Sequence, residues 1–100
     1  MANVYNSSYT RVGEVEADGT VRNSSYTRVG EVQLNGTILN SSYTTVGHVE
    51  SSGNILNSSY RTVGYVDGST IRNSSHTRVG EVSGVSVYQA GGAALLLLSI

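Results

Sequence analysis

The side chains of this sequence that could do chemistry come in columns. Asn-Ser-Ser occurs five times, beginning at Asn6, Asn23, Asn40, Asn57 and Asn73, and an aromatic residue follows each copy: Tyr9, Tyr26, Tyr43, Tyr60 and His76. Aromatic rings with a polar tip, set near Arg, suit stacking on sugars or on another protein. These five positions are the candidate ligand-binding residues. The competing reading makes Tyr a strand residue that covers its neighbour's backbone, and Asn and Ser the caps of bends. Each Asn-Ser-Ser also fits the N-glycosylation pattern, as does Asn35-Gly36-Thr37, but repetition accounts for these matches without a glycan.

A second column aligns Glu14, Glu31, His48, Tyr65 and Glu81. Turned toward a common axis, its carboxylates and imidazole could hold a cation. The partners of the column argue otherwise. Arg11, Arg28 and Arg78 each stand three residues before a Glu, whereas the units with Thr45 and Thr62 carry His48 and Tyr65 instead. Arg and Glu that come and go together read as surface pairs, worth about 0 to 1 kcal/mol. No metal or cofactor is assigned, and His76 falls outside this column. A nucleophilic Ser should stand apart from repetition, and here Ser belongs to the repeat. No phosphate-binding glycine loop precedes a helix, no helix is predicted at all, and no catalytic residue is assigned, so an enzyme is not expected.

The elements that position these columns follow from the spacing, which is 17, 17, 17 and 16 residues between successive Asn-Ser-Ser motifs. Each unit holds a Val-Gly pair, a second Val three residues after the first, and a turn signal: Asp18-Gly19, Asn35-Gly36, Ser52-Gly53 or Asp67-Gly68. Each unit is therefore a β-hairpin. A three-residue loop Ala17-Asp18-Gly19 sets Val15 opposite Val21, and the same register sets Val32 opposite Ile38 and Val49 opposite Ile55. The fourth unit is one residue short, and a two-residue loop at Gly68-Ser69 still sets Val66 opposite Ile71. Val12 and Val15 would face opposite ways in a regular strand, so a β-bulge at Gly13 is predicted to return them to one face, together with Arg11 and Glu14 on the other.

An open row of hairpins leaves strand edges at both ends. Here Ala2 to Ser8 matches the second half of a hairpin and the fifth unit stops after its first half, at Gly84. Joined, with Val82 facing Val4, they close a ring. The expected fold is all-β: residues 1–84 form a five-hairpin ring, and residues 85–100 form an apolar tail packed on or in it as plug or cap. An oligomer contact or a membrane surface are the other destinations for Leu95 to Leu98, whose exposure would be costly.

Composition bounds the partners. The chain has 100 residues, six Arg against seven Asp and Glu, no Lys, no Cys and a formal net charge of -1, so it lacks the basic excess that nucleic acid requires and cannot build a disulfide framework. No apolar run approaches the roughly 20 residues of a membrane span. No signal peptide is read in the first residues, which leaves the cytoplasm as the default compartment.

Units such as Val63-Gly64-Tyr65-Val66-Asp67-Gly68 with Thr70-Ile71-Arg72-Asn73-Ser74-Ser75, repeated five times and ended by Gly-Ala and an apolar tail, resemble the five-fold β-flower family of bacterial tandem β-hairpin repeat proteins. The resemblance covers the whole chain and implies radially arranged hairpins. It carries over no catalytic or binding residue. The pattern departs at His76, where a Tyr is expected, and any site of five equivalent aromatics would be incomplete there. Two functions follow as expectations: a structural or interaction module that presents a repeated polar surface to a protein partner or to itself, or a small-ligand or carbohydrate-binding protein that uses the Tyr and Arg columns.

Overall fold

The computed structural model describes residues 2–98 and 100. Ten antiparallel strands run in chain order: β1 (Ala2–Asn6), β2 (Arg11–Val15), β3 (Thr20–Asn23), β4 (Arg28–Val32), β5 (Thr37–Asn40), β6 (Thr45–Val49), β7 (Asn54–Asn57), β8 (Thr62–Asp67), β9 (Thr70–Asn73) and β10 (Arg78–Val82). Each pairs with its chain neighbours, and β10 pairs with β1, so the sheet closes into a barrel without an edge. Val4 lies opposite Val82 at the closure, as Val15 lies opposite Val21, Val32 opposite Ile38 and Val49 opposite Ile55. In the short fourth unit Val66 meets Ile71 across a two-residue loop.

The bulge is present in every unit, and its extra residue is the Val before the glycine. Val4 pairs with Gly13 and Tyr5 with Arg11, which leaves Val12 unmatched on β2. The same slip recurs between Val21 and Arg22, Ile38 and Leu39, Ile55 and Leu56, and between Arg78 and Gly80. Val12, Val29, Val63 and Val79 pack against the core, while Arg11 and Glu14 share the outer face at 2.7 Å.

The tail corrects one expectation, because Val87–Leu97 is an α-helix, α1. Ser86 caps it, its hydroxyl accepting from the Gln89 amide at 3.2 Å. Ten strands enclose a lumen wider than Val and Ile side chains can fill, and α1 occupies it, touching all ten. Bulk is exchanged between helix and wall. Where the wall is lined by Val32, Val49 and Ile55, the helix is slim, and a Cβ on Gly91 would stand 2.8 Å from both Val49 methyls. Where the wall is slim, at the bulge glycines, the tail is bulky. Positions for a Cβ at Gly13, Gly30, Gly47, Gly64 and Gly80 lie 2.6–2.8 Å from Leu97, Leu96, Leu95, Ile100 and Leu98 respectively. The molecule is a disc of 29 × 29 × 20 Å.

Candidate functional site

The barrel carries two sets of hairpin tips, one at each end, and both are built alike. In the first tip the Glu16 amide donates to the Thr20 carbonyl at 2.8 Å and the Gly19 amide to the Glu16 carbonyl at 2.9 Å. The Thr20 amide donates to Asp18 Oδ1 at 3.0 Å, which holds the Asp18 carboxyl below the usual carboxylate range. Gly19 closes the loop with φ 94°. At the opposite end the Asn6 amide donates to the Thr10 carbonyl and the Tyr9 amide to the Asn6 carbonyl, both at 3.0 Å. Asn6 Oδ1 accepts from the Ser8 and Thr10 amides at 2.9 and 3.0 Å, and Asn23, Asn40, Asn57 and Asn73 repeat this pair of bonds.

The aromatic column therefore stands where the other tips have glycine. Tyr9, Tyr26, Tyr43, Tyr60 and His76 have φ between 61° and 65°, a left-handed backbone uncommon for bulky residues. This corrects the strand reading of Tyr. The rings point outward from the loops, and the four tyrosines are 61–67% exposed. The Asn bends hold the loops in that shape, the capping role expected of them.

Each ring has a partner from the preceding unit. Arg11 lies over Tyr26 with its guanidinium carbon 5.3 Å from the ring centre; Arg28 over Tyr43 and Arg78 over Tyr9 are at 4.4 Å. In the two units without that Arg, His48 stacks on Tyr60 at 4.8 Å and Tyr65 on His76 at 4.5 Å. The departure at His76 is thus matched by Tyr65, so both pairs consist of one His and one Tyr in opposite order. The two columns that looked separate in sequence meet in space.

The Glu column does not converge on an axis, which α1 fills. Glu14 is 3% exposed and bound by Arg11 at 2.7 Å on the outer face, and Arg28–Glu31 and Arg78–Glu81 follow at 2.9 and 3.5 Å. Among the described residues no group of three or more His, Cys, Asp or Glu is placed to hold a metal ion.

The fourth unit breaks the pattern. In the first unit Arg22 grips Glu16 at 2.6 Å, an ion pair that raises the Arg22 pKa. In the fourth, the shorter Asp67 reaches Arg72 only at 3.6 Å, and Tyr65 and Thr62 replace the outer Glu and Arg. A cleft of about 300 Å³ opens there, lined by Ser52, Gly53, Tyr65, Val66, Asp67, Arg72 and His76. Of these only His76 was singled out from sequence as a candidate site residue. The available signal was that one unit combines a missing residue, an Asp for Glu and a Tyr for Glu.

No helix among the described residues is long and apolar enough to cross a membrane. Comparison with curated proteins and with solved structures finds no match. The family model for the 5-fold beta-flower protein matches residues 1–97, and this chain, whose five hairpins close in that number around one helix, belongs to the family.

Proposed function

We propose that the protein is an interaction module rather than an enzyme, and that the rim of aromatic tips is its working face. The observation that carries this reading is the set of four tyrosines, 61–67% exposed, fixed in left-handed loops. A bulky residue in that backbone region is strained and persists only where its surroundings over-determine it. Rigid Tyr beside Arg supplies contact area with little side-chain entropy to lose, the composition found in protein interfaces. Five equivalent tips also allow several contacts to one partner or to a repeated one, which multiplies weak affinities.

Replacing Tyr9, Tyr26, Tyr43 and Tyr60 together by Asn, which tolerates the left-handed backbone, tests the reading. Quantitative cross-linking in native cells should recover partners with the natural chain and lose them with the variant, whose circular dichroism stays the same. Identical partner profiles for two equally folded chains would exclude the rim as the working face.

A further inference from the structure

We infer that the cleft of the fourth unit is a small-molecule site for a neutral vicinal diol on an apolar ring, the chemistry of a single pyranose unit. This inference does not depend on the four rim tyrosines, although the cleft shares His76 with the aromatic tips. The cleft, about 300 Å³, is at the lower end of small-molecule sites and arises at the one place where the repeat departs from itself in loop length and in outer residues.

Its polar groups select the ligand. Asp67 supplies acceptors and Arg72 donors. At 3.6 Å, with side chains 71% and 37% exposed, they are too far apart for a tight hydrogen bond and retain capacity for another partner. One hydroxyl of a diol donates to the carboxylate while its neighbour accepts from the guanidinium. The pair has no net charge, so neither a simple cation nor a simple anion is favoured. Arg72 is braced by donating from Nη1 to the His76 carbonyl at 3.1 Å, which fixes the guanidinium before a ligand arrives. Tyr65 and His76, stacked at 4.5 Å and 7° from parallel, form an aromatic wall. Stacking covers one face of each ring, and the polarised C–H bonds on the apolar face of a pyranose suit the negative face turned away from the partner. Ser52 also lines the cleft.

The other units lack this combination. Leu39 and Leu56 occupy the Arg72 position in the second and third units, and in the first unit Arg22 is closed onto Glu16.

The test is an amide NMR titration of the full chain with the methyl glycosides of glucose, galactose and mannose. Glycine serves as a zwitterionic competitor and 1,3-propanediol as a diol without vicinal hydroxyls. At least one glycoside should bind with a Kd in the millimolar range and shift the amides of Ser52, Gly53 and Val66, with both controls silent. Arg72→Leu, which borrows the residue of the second and third units, should weaken binding at least tenfold. Thr62→Arg with Tyr65→Glu, which restores the outer pair of the first unit, should do the same. The inference is overturned if no glycoside shifts these amides, if the shifts are equal in all five units, if glycine binds more tightly than every glycoside, or if Arg72→Leu binds as well as the natural chain.

Discussion

Gly92 of the helix and Val32 of the wall share one space: a Cβ on the glycine would overlap Cγ2 of the valine. Gly to Ala inside a helix ordinarily stabilises by about 1 kcal/mol. Here the sign should reverse, with Gly92→Ala destabilising by about 1–3 kcal/mol, the usual result of overpacking. Val32→Ala should restore part of that loss in the double variant, although each change alone destabilises. Urea unfolding of all four chains measures the coupling, and additive effects would place the helix away from Val32.

Arg28 takes part in three interactions, donating to Glu31 at 2.9 Å and to the Ser41 carbonyl at 3.3 Å and lying over the Tyr43 ring at 4.4 Å. Exposed ion pairs and cation–π contacts contribute about 0–1 and 0.5–1 kcal/mol. Double-mutant cycles should give Arg28 a coupling to Glu31 that fades in molar salt and one to Tyr43 that persists better. No coupling to Glu31 at low salt would reduce the shared appearance of Arg and Glu to the history of repeat copying.

Closure depends on β1, which pairs with both β2 and β10 and contributes the fully buried Val4. Deleting residues 1–5 strips two ladders and opens the core. The loss should exceed the roughly 5–15 kcal/mol of a typical domain, and circular dichroism should show no cooperative melting. An unchanged melting temperature would contradict the closed ring.

Asp18 gives a pH dependence with a definite sign. The Thr20 amide lowers its pKa in the folded protein. Its contribution to stability is therefore complete above the unfolded value of about 3.9 and is lost as pH falls through the lower folded value. Asp18→Asn keeps the acceptor, as Asn35 does for Thr37 at 3.0 Å. The variant should match the natural chain at neutral pH and show a flatter melting temperature below pH ~4. Parallel acid profiles for the two chains would remove this role from Asp18.

The hairpin register was legible because the fourth unit loses a residue yet keeps Val66 against Ile71. The ring was legible because Val4 and Val82 are the separated halves of a pairing seen in the other four units. The helix was not, for a physical reason: beyond Tyr88 and Gln89 in its first turn α1 is apolar all round, so it has little of the periodicity that marks a surface helix, and Gly91-Gly92 reads as a joint until Val49 and Val32 are known to press on it. The left-handed tyrosines went unseen because bulky side chains are rare in that region. Their sign was an Asn three residues before each ring, its side chain ready to replace a backbone turn. The stacks of Tyr60 on His48 and His76 on Tyr65 went unseen because each joins two columns that sequence alignment keeps apart.

The Leu residues that fill the bulge glycines set an orientation for the whole disc. Leu95, Leu96, Leu97 and Leu98 meet Gly47, Gly30, Gly13 and Gly80 in turn, visiting neighbouring units in one direction around the circle, and Ile100 reaches the last at Gly64. A helix advances more than a quarter turn per residue, and a unit spans one fifth of a circle. The two steps differ, so the short link from Val82 at the end of β10 to Val87 at the start of α1 is what holds the plug at one phase against the wall. The five seats are chemically alike, each a bulge glycine, so the tether and not the seat decides which side chain meets which unit. One covalent join between wall and plug gives a nearly symmetric object one distinguishable address.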